Sequence, residues 1–186
     1  MRAASRRYCR ITAERRGNYV FRSSRSCFFT GRVYHTTMTD FDEQRAAEQM
    51  APGVCCRDGF LGDDTRSLRE IIATDAAELS SIGVTACEIA ASLAAILELA
   101  EEAQERPVEL SPSVVAVYTG AMGQIPSPFG DGLFEKGQVE LFFGDDRIVF
   151  TPLGIHMIAA YGFFEGLGGR YRRNPAEWAK RLGFVE

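Results

Sequence analysis

Apolar residues first recur at helical spacing at Leu68, Ile71, Ile72, Ala76 and Leu79, and helix signals bracket this run. Ser67 and Glu70 stand three apart, the spacing at which a hydroxyl and a carboxylate cap a first turn reciprocally. Gly83 follows where a left-handed residue would end the helix. A second start comes at once. Thr85 and Glu88 repeat the capping box, Val84 and Ile89 are placed to close a hydrophobic staple, and Ile89, Leu93, Ile96, Leu97 and Ala100 form one stripe. Pro107 closes the run near Glu105, so the two helices predict an αα-hairpin turning at 80–85.

Beyond Pro107 the pattern changes to short β-rich runs. Val108–Leu110 and Val114–Tyr118 read as strands, and Val139–Phe143 with Ile148–Thr151, joined through Gly144-Asp145-Asp146-Arg147, predict a β-hairpin over 138–151. The stretch 120–137 is rich in Gly and Pro and too long for an ordinary connection. Ile125, Phe129, Leu133 and Phe134 give it apolar anchors, so it reads as an ordered Ω-like loop. Thr151-Pro152 then supplies an N-cap and a first-turn proline for a helix that is apolar almost all round, from Ile155 to Phe164. That helix should be buried and end at Gly166-Leu167-Gly168-Gly169. Asn174-Pro175 starts a short last helix ending at Gly183. The expected fold is α+β: an N-terminal αα-hairpin, a short antiparallel sheet, one buried apolar helix and a short C-terminal helix.

Upstream of Ser67 the periodicity fails. Residues 38–65 are acidic and small, with at most a short helix near Glu43–Gln49, and are expected to wrap the domain formed by 66–186. Residues 1–37 sustain no period, and charge sets them apart. They hold nine arginines and one acid, a net +8, which leaves 12 of the 21 basic and 24 of the 25 acidic residues, a net −12, in the rest. Three readings fit this basic segment outside the fold: an extension upstream of a true start at Met38, an organellar transit peptide, or a basic arm for nucleic acid.

A body at −12 repels phosphate, so no nucleic-acid or anionic-membrane partner is expected for 38–186. The longest apolar stretch, Ile82 to Ala100, is interrupted by Glu88 and Glu98, which argues against a membrane span. Five cysteines, with Cys55 and Cys56 adjacent, form neither a disulfide framework nor a C-x-x-C site. A soluble protein of the cytoplasm is expected, or of an organelle matrix if the basic segment is a transit peptide. No metal site and no cofactor are predicted.

Three places could carry chemistry. The 120–137 loop offers Ser127, Phe129, Asp131 and Lys136 as a binding surface. His156 is the one histidine after residue 37, with Asp131 and Glu135, or Glu165 at the helix end, as complements for acid–base work. Arg170, Arg172 and Arg173 could clamp an anion or cap the preceding helix. Phe129, Phe134, Tyr161, Phe163, Phe164, Trp178 and Phe184 are more aromatic residues than a small core requires, and aromatic residues favour interface centres. The composition therefore favours a non-enzymatic binding or self-association module whose partner is a second copy or another protein. The alternatives are a small hydrolase or lyase using His156 with Asp131 or Glu135, and a helix-turn-helix regulator. Glu98, Glu101, Glu102 and Glu105 on the second helix oppose the last of these.

Overall fold

A computed structural model describes residues 41–185, together with the backbone of four short strands: β1 (Thr12–Glu14), β2 (Asn18–Val20), β3 (Cys27–Phe29) and β4 (Arg32–Tyr34). The first two form one antiparallel ribbon and the second two another. The expectation that 1–37 stand outside the fold falls mostly on residues outside the described ones.

The helical half is built from its capping signals. Helix α1 (Glu43–Met50) is capped by Asp42, whose side chain accepts from the Arg45 amide. Both capping boxes form, Ser67–Glu70 on α2 (Leu68–Ser81) and Thr85–Glu88 on α3 (Ala86–Glu102), and Val84 and Ile89 are buried where the staple requires them. The two helices bend by 90° at Ile82–Thr85, and no single described helix is long and apolar enough to cross a membrane.

The rest is a four-stranded antiparallel meander, β5 (Val108–Ser111), β6 (Val114–Pro126), β7 (Leu133–Phe143) and β8 (Asp146–Phe150), followed by α4 (Pro152–Tyr161) and α5 (Pro175–Arg181). With five helices this is an α+β fold. Helices α3 and α4 pack side by side, α3 against β6 and α4 against β7, while α5 fills the corner beside α2 and α3. Every residue of α4 except Gly154 is buried, as its all-round apolar sequence requires. The helix stops earlier than the glycine cluster at 166–169: Gly162 takes φ 67° and its amide returns to the Ile158 carbonyl. A left-handed residue is tolerated there without a Cβ, and Phe163 and Phe164 go on into the core outside the helix.

The 120–137 stretch is also not an Ω-like loop. β6 and β7 run through it as a two-stranded arm, pairing Gln124 with Glu135, Ile125 with Phe134 and Pro126 with Leu133. A register break between Gly120 and Gln124 bulges the arm and leaves Met122 98% exposed. Only 127–132 turn, closed by the Ser127 amide donating to the Gly132 carbonyl at 2.9 Å. The aromatic residues expected at an interface go inside instead. Tyr161, Phe163, Phe164 and Trp178 are buried, and Phe129, Phe134 and Phe184 pack against the same core.

Candidate functional site

The turn of the arm folds back onto α4. Asp131 Oδ2 accepts from His156 Nε2 at 2.7 Å and from the Tyr161 hydroxyl at 2.8 Å. His156 and Tyr161 lie five residues apart on one helix, near enough in angle and rise to reach one carboxylate. Phe129 stacks on Tyr161 with ring centres 3.7 Å apart, and Phe134 lies 4.4 Å from the imidazole. Burial works to raise the Asp131 pKa, yet hydrogen bonds from His156, Ser127 and Tyr161 hold it well below the usual carboxylate range. Ser127, itself buried, also takes the Phe129 amide on its hydroxyl and so shapes the turn.

This cluster gathers Asp131, Ser127 and Phe129 around His156, but not the other site residues expected from the sequence. Glu135 is exposed on the arm and accepts from the Gln124 amide at 2.7 Å. Glu165 accepts from the Tyr171 amide. The His156 ring is 1% exposed.

A cleft of about 350 Å³ opens beside the arm instead. It is lined by Glu135 to Gln138 of β7, Thr119 to Ala121 and Ile125 of β6, Cys56 to Phe60, Leu153 of α4, and Arg170 and Tyr171. Glu165 lines it while remaining only 5% exposed. Burial pushes the Glu165 carboxyl up to about 7, against the opposing pull of the Tyr171 amide, which donates to Oε2 at 3.0 Å, and of the Arg172 and Arg170 charges. A carboxyl poised near neutrality can donate or accept a proton in a cleft, a property that marks functional groups. The neighbouring Cys56 thiol is pushed up by burial and further by Glu165 and Asp58, so it is held as a thiol and not as a nucleophilic thiolate.

Backbone contact sets Glu165 in place. The Gly166 amide donates to the Phe60 carbonyl at 2.9 Å, the Asp63 amide to the Leu167 carbonyl at 2.8 Å, and the Leu167 amide to Asp64 Oδ2 at 3.0 Å. The two chains are so close that a Cβ on Gly166 would lie 2.2 Å from the Leu61 carbonyl oxygen. Arg172 fixes the other side. It donates to the Glu165 carbonyl at 2.8 Å and forks onto Asp75 of α2 at 2.5 and 2.7 Å. This Arg172–Asp75 pair is buried; burial raises the Asp75 carboxyl and the guanidinium opposes it. Of the basic cluster 170–173, Arg170 lies 3.5 Å from Asp58, and Arg173 donates to the Arg147 carbonyl at 3.3 Å.

The sequence pointed to Glu165 and Arg170 but not to the cleft, because Cys56, Asp58 and Gly59 come from the segment read as an irregular wrapping. A second cavity, of about 430 Å³, lies between the α2–α3 corner and α4, apolar apart from Ser80, Thr85 and Cys87. Among the described residues no group of three or more His, Cys, Asp or Glu could hold a metal ion. No protein-family model matches the chain, and neither a curated protein nor a solved structure matches it.

Proposed function

We propose that the chain is a binding domain that takes a small polar ligand, or a short part of a larger one, in the cleft between the β6–β7 arm and the Glu165 loop. The observation that carries this reading is Glu165, a carboxyl 5% exposed yet lining a cleft of about 350 Å³, within the lower range of ligand sites. Burying an ionisable group costs stability unless something is gained at the site. The hydrolase or lyase alternative gains no such support, since a substrate has no open approach to an imidazole 1% exposed. We read His156, Asp131 and Tyr161 as a clasp that holds the arm, and thereby one wall of the cleft, against α4. The thiols of Cys55 and Cys56 support placing the protein in a reducing compartment such as the cytoplasm.

Fragment binding followed by amide chemical shifts tests the proposal. Hits should move the Tyr171 and Gln138 amides and weaken in Glu165→Gln. Hits confined to the α2–α3 corner would refute it. A second reading, association with a second copy or another protein through the arm, is favoured by the exposure of Met122 (98%) and Leu133 (64%).

A further inference from the structure

Part of one edge of β7, in the arm that borders the cleft, has no strand beside it. β8 pairs with β7 only from Val139 to Phe143, and β6 occupies the opposite edge along the whole length of β7. From Leu133 to Gln138, therefore, the β8 side of β7 is open among the described residues. Glu135 to Gln138 of that stretch line the cleft, together with Thr119 to Ala121 and Ile125 of β6. An open edge offers N–H and C=O groups at the spacing of an extended chain.

The Glu165 carboxyl lines the same cleft. Tyr171 joins the two, with its amide on Glu165 Oε2 at 3.0 Å and its hydroxyl donating to Gln138 Oε1 at 3.5 Å. A tyrosine reaching from its backbone nitrogen to its hydroxyl covers roughly the rise of two extended residues, at about 3.3 Å each. The charged neighbours of Glu165 are already matched: Arg172 forks onto Asp75, and Arg170 faces Asp58. Cys56 and Tyr171, the other titratable groups beside it, are held neutral by burial and nearby carboxylates. Glu165 is thus the buried carboxyl of the cleft, beside the exposed Glu135 and Lys136 on the arm.

We propose that the cleft receives the amino-terminal end of an extended peptide, whose α-ammonium pairs with Glu165 and whose first amides add to the open edge of β7. The inference rests on the cleft being the ligand site, and it names the chemistry of that ligand. An acetylated terminus would set a neutral group against the buried carboxyl and forfeit the charge-assisted hydrogen bond, the stronger kind. The cleft volume suits a short terminus and not a long strand.

The test uses the full ¹⁵N-labelled chain and three probes: trialanine amide, its N-acetyl form, and trialanine amide methylated on its second peptide nitrogen. Trialanine amide should shift the Tyr171 and Gln138 amides and bind about ten-fold more tightly than the acetylated form, the lower end for a hydrogen bond to a charged group. The methylated probe should bind more weakly because it cannot complete the edge ladder. Glu165→Gln should remove the preference for a free terminus. The comparison of free and acetylated probes uses only the wild-type protein, so it stands even if the variant folds poorly. Equal binding of those two probes, or a preference that survives in Glu165→Gln, overturns the inference. If other fragments move the cleft amides and trialanine amide does not, the inference falls and the cleft reading stands. If no probe or fragment of any kind moves them, both fall.

Discussion

Replacing Glu165 by Gln should stabilise the protein in mildly alkaline solution and leave it unchanged in acid. The unfolded carboxyl titrates near 4.5 and the folded one near about 7, so between these values the folded state binds the extra proton. Its contribution to stability is complete below 4.5, declines as pH rises through the interval, and is gone above about 7. At about 1.36 kcal/mol for each pH unit, the wild type loses on the order of 3 kcal/mol across that window through this one group. Glutamine has the shape of the protonated acid, can turn its oxygen toward the Tyr171 amide, and does not titrate. Urea unfolding of both proteins at about pH 4.5 and about pH 8 isolates the effect, because carboxylates common to both cancel in the difference. The expected difference is near zero at the lower pH and on the order of 3 kcal/mol in favour of Glu165→Gln at the higher one. A difference that does not change with pH would refute the buried, proton-holding carboxyl.

Asp131→Asn should cost about 1–3 kcal/mol, because the His156 and Tyr161 donors lose a charged acceptor. Since the Asp131 pKa is depressed, the wild-type advantage should be whole above 3.8 and fade as pH falls below it, with faster hydrogen exchange at 127–132 in the variant. A variant with wild-type stability and exchange would show that the clasp does not hold the arm. Gly166→Ala should cost about 1–3 kcal/mol or more, because its Cβ would meet the Leu61 backbone at 2.2 Å. An unchanged thermal midpoint would mean that the two segments part easily.

Local rules explain which elements could be read from the sequence. Ser67, Thr85, Thr151 and Asn174 announced their helices because a cap is decided within four residues. The arm was hidden because Gly120, Gly123 and Pro126 punctuate it like a loop, and its strand character is supplied by the partner strand. Glu165 could be picked out as a candidate acid but not as a buried one. Its cover comes from Phe60 and Leu61, and its orienting arginine is anchored on Asp75, 97 residues away in the chain. The cleft arises from such distant pairings, which no periodicity records.

A helix that is apolar on every side faces a difficulty that amphipathic helices avoid. For α4, turning about its own axis by one residue, or sliding by one, would exchange one aliphatic contact for another at little cost, so oily packing alone does not choose among those settings. The two polar tips on this helix, the His156 imidazole and the Tyr161 hydroxyl, both end on one carboxylate carried by a turn that the arm delivers. Only one rotation and one height satisfy both bonds together, and every other setting strands a polar group in the core. The cluster therefore acts as an index pin: it selects a single seat for the central helix, and with it the position of the strand edge that borders the cleft.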